Sequence, residues 1–327
     1  MDGEREHLFI INPRSFRLSR DIARIQAEIE SCLDRRGERY TIRTSNYSRE
    51  AIGIIRDYLD NTPSTQTVRV YAIGGDGILF DCLNGMQGAA NAELAAVPYG
   101  RSNDFVRAFG ENQETLFRDI AKQVGAPTTP VDIIHSSNNC AILNFVAIGV
   151  ESAATYSYMR QMQQFESDLR LPRFLAGRLY DIHGFKEMFN TPMRTQPYVI
   201  TLDDSECIKA CGGVNLANGP CYGFDKQPNY RAVPNDGYLD FLFLRATSSL
   251  RDVFRIPGYL AGKAYERPDL YIYRRVKKVE IHSEQPLLLN LDGEAFFDID
   301  ITFEVQPGAL RFVTPNGLPF EKKGPGR

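Results

Sequence analysis

Apolar residues along this chain recur with two textures, and the change between them divides it. Residues 7 to 11, His-Leu-Phe-Ile-Ile, predict a short strand, broken at Asn12-Pro13. After a polar loop through Arg14, Ser15, Phe16 and Arg17, Ile22, Ile25, Ile29 and Leu33 return at helical spacing. Tyr40 to Thr44 reads as a second strand, and Ser48 as the N-cap of a helix carrying Ile52, Ile55 and Leu59. A third strand, Val68 to Ile73, stops at Gly74-Gly75-Asp76-Gly77, and Ile78, Leu79, Phe80, Cys82, Leu83 and Met86 follow as a buried helix. A fourth strand, Leu94 to Val97, ends at Pro98-Tyr-Gly100-Arg-Ser-Asn103-Asp104, ahead of a helix with Phe105, Val106 and Phe109. Alternating strand and helix predict an α/β N-terminal domain, a mostly parallel sheet flanked by helices.

After about Pro130 the runs shorten and crowd together: Val131–Ile134, Ala141–Val146, Tyr198–Leu202, Gly213–Ala217, Leu239–Leu244, Lys278–His282, Leu287–Leu291 and Ile299–Glu304. Turn signals such as Asn235-Asp-Gly237 and Asp292-Gly293 separate them, which predicts an antiparallel β-sandwich as the C-terminal domain. A helical insertion, roughly Ser152 to Phe189, interrupts the strands, and another helix is expected over Leu250 to Ala261. The expected division is residues 1–130 and 131–305, with 306–327 free to return to the first domain.

In parallel sheets, ligands bind beyond the carboxyl ends of the strands, and three polar loops fall there: Asn12 to Arg17, Gly74 to Gly77 and Gly100 to Asp104. Glycines let the main chain approach a ligand, and exposed amides at a helix start favour anions, phosphate above all. A lone aspartate among them repels phosphate unless it holds a metal, orients a hydroxyl or accepts that hydroxyl's proton. The plain alternative for this stretch taken alone is a β–α turn with an Asp cap.

Composition narrows the class. With 327 residues, 43% apolar and 24% charged, the chain is an ordinary globular protein of two-domain length. A net charge of −3 argues against general nucleic-acid binding. No apolar run reaches transmembrane length, the charged N-terminus has no signal core, and six cysteines without a CxxC pair read as buried free thiols. A cytoplasmic protein is expected.

Taken together and in order, these loops resemble the diacylglycerol kinase catalytic family, in its bacterial lipid-kinase branch, with sphingosine and ceramide kinases as relatives. The resemblance rests on Ile11-Asn12-Pro13-Arg14-Ser15, Thr44, Gly74-Gly75-Asp76-Gly77 with Asn84-Gly85, Pro98 to Phe105, Asn144 to Gly149, Ala217-Asn-Gly-Pro220, Ala232 to Asp240 and Leu291-Asp-Gly-Glu294. It implies transfer of the γ-phosphoryl group of ATP to a lipid hydroxyl, with Mg2+, in a cleft between two domains. On that resemblance the nucleotide contacts are Asn12, Pro13, Arg14, Ser15, Thr44, Gly74, Gly75, Asp76, Gly77, Ile78, Gly100, Arg101, Ser102, Asn103 and Asp104. Glu294 matches the usual proton acceptor, and Asp76 the signature aspartate that serves as base in the sphingosine kinases. Asp236, with the carbonyls of Val233 and Tyr238, matches a second, structural magnesium site, whose plain alternative is an Asn-Asp-Gly turn. The implied partners are a nucleotide and a lipid substrate at a membrane surface, with no nucleic acid and with room for a homodimer.

The chain departs from the family pattern at several ligand positions. Ile78 and Arg101 replace threonines, Phe80-Asp81 replaces an Asn-Glu pair, Phe16 replaces a glycine, Tyr222-Gly-Phe-Asp225 replaces a glycine run, and Glu151-Ser152 replaces Asp-Ala. Two phosphate-binding hydroxyls are lost, while Arg101 brings a charged donor. A catalytically inactive relative that binds nucleotide or lipid, and a kinase for a soluble polyol or nucleotide, therefore stay as alternatives. In the insertion, Leu169, Leu171, Phe174, Leu175, Leu179 and Phe185 mix with Arg160, Arg170, Arg173 and Arg178. That mixture suits an anionic membrane surface, and an ordinary helix pair packed on the sandwich gives the same pattern more often.

Overall fold

A computed structural model of the chain describes residues 5–16, 19–110, 112–164, 173–190, 197–210, 212–223, 226–245, 262, 268–269 and 271–321. The chain divides into two compact units, one of residues up to Val131 with Gly308–Glu321, the other of Asp132–Pro307.

The first unit is built from β1 (Glu6–Ile11), α1 (Ser19–Arg36), β2 (Arg39–Thr44), α2 (Glu50–Asp60), β3 (Val68–Gly74), α3 (Asp76–Gly85) and β4 (Ala92–Pro98). A 3-10 turn (Phe105–Phe109) and two short helices, α4 (Glu114–Arg118) and α5 (Ile120–Val124), complete it. The strands pair in the order β2-β1-β3-β4, all parallel, and the returning segment adds Phe312 beside Leu94. Every residue of β3 and β4 is buried, as a parallel sheet covered on both faces requires. One face packs Phe9, Ile11, Tyr71, Ile73, Ala95 and Val97 on Ile25, Ile29 and Leu33 of α1, with the Phe9 and Tyr71 rings stacked at 4.1 Å.

Polar groups inside this unit are matched. Arg69 is fully buried, pairs with Glu93 at 2.8 Å and donates to the carbonyls of Gln123, Val124 and Ala126. It thereby satisfies the carbonyls that the end of α5 leaves unpaired. His7, also fully buried, shares a hydrogen bond with the Tyr71 hydroxyl and lies 2.7 Å from Glu38.

The second unit carries β5 (Thr128–Ser136, entering from the first), β6 (Ala141–Ile142), β7 (Phe145–Ile148), α6 (Val150–Gln164) and α7 (Arg173–Asn190). The remaining strands are β8 (Tyr198–Leu202), β9 (Glu206–Ala210), β10 (Gly212–Ala217), β11 (Leu239–Arg245), β12 (Tyr271–Val276), β13 (Lys278–Leu291) and β14 (Glu294–Val313). Its strands pair antiparallel in the order β12-β11-β10-β7-β13-β14, with β8 and then β9 alongside β13. The fold is an α/β domain followed by an antiparallel sandwich with a helical insertion.

Several local expectations need correction. Residues 278–282 and 287–291 are one strand, β13, whose register shifts between His282 and Leu287; the bulge at Glu284-Gln285-Pro286 interrupts the alternation without ending the strand. Ser48 is not the N-cap of α2: Arg49 holds that position, in the left-handed region at φ 69°, with its amide on Asp81 and no side-chain cap bond. The segment from Phe105 is a 3-10 turn. Cys207 is exposed, whereas Cys32, Cys82, Cys140 and Cys221 are buried thiols as expected. The helix expected over 250–261, and residues 165–172 of the insertion, lie outside the described residues.

Candidate functional site

The glycine turn brings three loops of the first unit onto one spot. A Cβ on Gly100 would lie 2.3 Å from the Gly75 Cα, so two backbones touch there and only glycine fits at both positions. A Cβ on Gly74 would meet Ile78 Cγ2 at 2.7 Å and Ser15 Oγ at 2.9 Å. The Gly74 carbonyl accepts from the amides of Tyr99 and Gly100 at 2.7 and 3.0 Å. Asn12 ties the first loop to the same place. Its amide donates to the Ile73 carbonyl, and its side chain accepts from the Arg14 amide at the start of the Pro13–Ser15 turn. Thr44 ends β2 in register with Ile11, and the Ser45 amide donates to the Ile11 carbonyl.

Asp76 does not cap its own helix. Its two oxygens accept from the amides of Asn103 and Asp104 at 2.9 and 2.8 Å. Asn103, at φ 54°, braces the same loop through both atoms of its amide on Gly100, and Ser102 donates to the Asp104 carboxylate. The start of α3 is consequently left with no side-chain cap. A helix N-terminus of that kind, with glycines before it, presents amides to an anion. The aspartate's charge is meanwhile stabilised by two backbone donors.

Three of the departures from the family pattern, at Phe16, Ile78 and Phe80-Asp81, fall in the first unit and are each packed or paired there. Phe16 is buried and packs on Tyr99, with ring centroids 4.8 Å apart. Ile78 is buried over Gly74. Arg49 donates to Asp81 from both its amide and its guanidinium, at 3.0 Å each, and stacks over the Phe80 ring at 4.5 Å. Burial pushes the Asp81 carboxyl up, with Arg49 pulling the other way. Sequence reasoning missed Arg49; the signal available was the Phe80-Asp81 exchange, which calls for a cation with a flat face.

In the second unit, three motif residues prove to be braces. Asp292 accepts from the amides of Leu143, Asn144 and Phe145. Asn144 donates to the Cys221 carbonyl, and Asn218 to the carbonyls of Asp132 and Leu143. Asp292 and Gly293, at φ 51° and 96°, make the two-residue turn that joins Leu291 to Glu294. Glu294 thus opens β14, half-buried, on a turn nailed down by three amides.

The loop expected to hold a second magnesium is arranged otherwise. Asp236 takes Arg275 Nη2 on one oxygen at 2.6 Å and the Tyr238 amide on the other at 3.1 Å. Arg275 and Lys277 lie over the Tyr238 ring at 4.4 and 5.3 Å, and the Val233 carbonyl accepts the Asn235 amide. Magnesium demands a near-octahedral set of hard oxygens, and here a guanidinium already neutralises the single carboxylate. Val233, Asp236 and Tyr238 therefore fit that ion poorly. No cluster of three or more His, Cys, Asp or Glu able to hold a metal occurs among the described residues.

The chain is similar to known proteins along most of its length. A family model described as the diacylglycerol kinase catalytic domain matches residues 6–136, and one described as the YegS C-terminal NAD kinase beta sandwich-like domain matches 144–314. A protein of Alcanivorax borkumensis named "Probable lipid kinase YegS-like" is 26% identical over 87% of this chain and 90% of its own. One of the same name from Chromohalobacter salexigens is 29% identical over 76% of each. The crystal structure of a diacylglycerol kinase from Bacillus anthracis superposes with a TM-score of 0.67 over 97% of this chain and 99% of its own, at 17% identity, a likeness of fold. Two matched domains in series, which between them cover nearly the whole chain, place it in the diacylglycerol kinase catalytic-domain family, in its bacterial YegS-like branch.

Proposed function

We propose that the chain is an ATP-dependent lipid kinase that transfers the γ-phosphoryl group to a hydroxyl of a diacylglycerol-like lipid. The observation that carries this reading is the uncapped start of α3, set behind the Gly75–Gly100 contact and beside an aspartate whose charge is met by two amides. Such a cradle suits the triphosphate, and Asn12 to Ser15, Thr44 and Gly100 to Asp104 would surround the rest of the nucleotide. Arg101 supplies a guanidinium where two hydroxyl donors are missing.

Asp76, a hard carboxylate at the start of α3 beside the second loop, would hold magnesium brought in with the nucleotide. When bound, that ion neutralises charge on the transferring phosphoryl group. Glu294 is the proposed acceptor of the hydroxyl proton. Asp76 serves less well as base, because both its oxygens already fix the second loop. The protein is proposed to work in the cytoplasm, visiting membranes peripherally. No helix among the described residues is long and apolar enough to cross one.

The test is transfer from radiolabelled ATP to lipids presented in detergent micelles. A labelled phospholipid product is expected, and Glu294→Gln should cut turnover by ~10²-fold or more with nucleotide binding kept. Nucleotide binding without transfer to any lipid would instead favour an inactive, binding-only relative, the reading that the buried Ile78 supports. Label passing to a soluble polyol would move the substrate class.

A further inference from the structure

Exposed large hydrophobic residues are concentrated in one part of this molecule. Six occur among the described residues, Tyr47, Leu175, Ile182, Tyr238, Phe297 and Ile299, and four of them lie on α7 and the start of β14. Ile182 is 63% and Phe297 60% exposed, a degree normally avoided unless something covers the surface. The two elements are connected. Tyr156 of α6 meets the Phe297 ring edge-on at 6.1 Å, and the same Tyr156 lines a cavity of about 490 Å3 with Arg160, Leu179, Ile182, His183 and Lys186.

One stripe of α7 carries charge of a single sign. Along α7, Leu175, Arg178, Ile182 and Lys186 follow at intervals of three and four, so apolar and basic residues share one stripe. Arg160 stacks on Tyr156 at 5.7 Å. The neighbouring acids are engaged elsewhere: Asp181 pairs with Lys226, Glu187 accepts from Ser157, Asp298 accepts from amides of its own strand, and Asp300 pairs with His282. His183 lines the cavity, buried, its Nε2 on Gln161 and its Nδ1 without a hydrogen-bond partner among the described residues. Its proton affinity is lowered by burial and by Lys186, so it adds a polar neutral wall and leaves the cationic part to Arg160 and Lys186.

We infer that the α6–α7 hairpin and the start of β14 form a docking face for an anionic lipid bilayer. Ile182, Leu175, Phe297 and Ile299 enter the interfacial region while Arg160, Arg178 and Lys186 meet phosphate headgroups. Apolar side chains that enter the headgroup boundary, flanked by cations, are the pattern of interfacial attachment, and attraction of this kind weakens with salt. The inference takes its purpose from the lipid-kinase reading, because an acceptor held in a bilayer has to be met at its surface.

The test uses the full chain and two kinds of large vesicle, pure phosphatidylcholine and phosphatidylcholine with about a third phosphatidylglycerol. Co-sedimentation is expected with the second kind only, and it should weaken with added salt. Ile182→Asn with Phe297→Ser, and separately Arg160→Glu with Lys186→Glu, should each reduce partitioning by roughly tenfold or more. These side chains are solvent-facing or line an open cavity, so circular dichroism and nucleotide binding should stay as in the parent. Transfer to a lipid in detergent micelles should also stay unchanged, which separates failure of this inference from failure of the kinase reading. Partitioning that is absent, or equal in parent and variants, overturns the docking face. A concentration-dependent dimer of the parent that Ile182→Asn dissociates also overturns it, by assigning the face to a second copy of the chain.

Discussion

Two aspartates followed by glycine, Asp76 and Asp236, look alike in sequence and are held in opposite ways. Backbone amides from a second loop fix Asp76 on both oxygens. Asp236 takes one amide, from Tyr238 of its own turn, and otherwise a side chain, Arg275, in a pair whose side chains are 30% and 44% exposed. Amides cannot move away without moving the fold, so the first aspartate keeps its charge in a rigid frame suited to binding and chemistry. A guanidinium on a flexible stem at the surface cancels charge and contributes little rigidity. A carboxylate's function therefore depends on what already occupies its oxygens, which the motif letters do not record.

The comparison breaks most sharply at the glycines. Gly100→Ala places a methyl carbon 2.3 Å from a backbone atom and should displace the loop that Asp76 holds. Nucleotide affinity and transfer are expected to fall by roughly 10²-fold, the scale of an ångström-level misplacement. Gly237→Ala, beside Asp236, meets nothing nearer than 3.9 Å, and its φ of 74° costs only about 1 kcal/mol. Calorimetric titration with ATP on both variants checks this; equal losses would show that the glycine contact does not organise the nucleotide loop.

The ion pairs come next. Arg49→Ala leaves Asp81, 6% exposed, without its cation and should destabilise the first unit by about 2–3 kcal/mol, below the full buried-pair range because Arg49 is itself one-third exposed. Replacing both residues by Met and Leu should recover most of that loss. Arg275→Ala should cost under about 1 kcal/mol. It should also make the second unit's unfolding midpoint respond to millimolar Mg2+, a response that the parent is expected to lack. Urea unfolding with Mg2+ and with EDTA measures both effects, and a magnesium-sensitive parent would restore the metal to the Asp236 loop.

How far these arrangements could be read in advance depends on their range along the chain. The parallel strands were legible because β1, β3 and β4 are buried on both faces and so carry unbroken apolar runs, Leu8 to Ile11, Val70 to Ile73 and Leu94 to Val97. The hairpin at Asp292-Gly293 was legible because two positive φ angles demand those residue types. Strands β9 and β12 escaped notice because charges interrupt them, Glu206 and Lys209 in one and Arg274-Arg275 in the other. The Arg49–Asp81 pair, 32 residues apart, and the Asp292 brace on Asn144, 148 apart, join side chain to backbone across the fold. No local period encodes such contacts.

The last expected effect concerns acidity, where the two units should answer with opposite sign. His7, buried among Glu38, Tyr71, Arg69 and Arg5, has its pKa lowered by burial from the ordinary 6.5 to about 4. Between those values the unfolded chain binds a proton that the fold refuses, so this contribution, complete above 6.5, is lost as the pH falls towards 4. Asp240, 2% exposed and accepting from the Tyr273 hydroxyl, has its pKa raised by burial from 3.8 to about 6. Across that window the fold keeps a proton that the unfolded chain has shed, so the second unit gains stability as the pH falls from 6 to 4. Hydrogen exchange resolved by peptide, corrected for intrinsic rates, should show the first unit loosening and the second tightening between pH 7 and about 4.5. Asp240→Asn should flatten the second response and leave the first intact. A second unit that still tightens in that variant would assign the effect to another group of that unit.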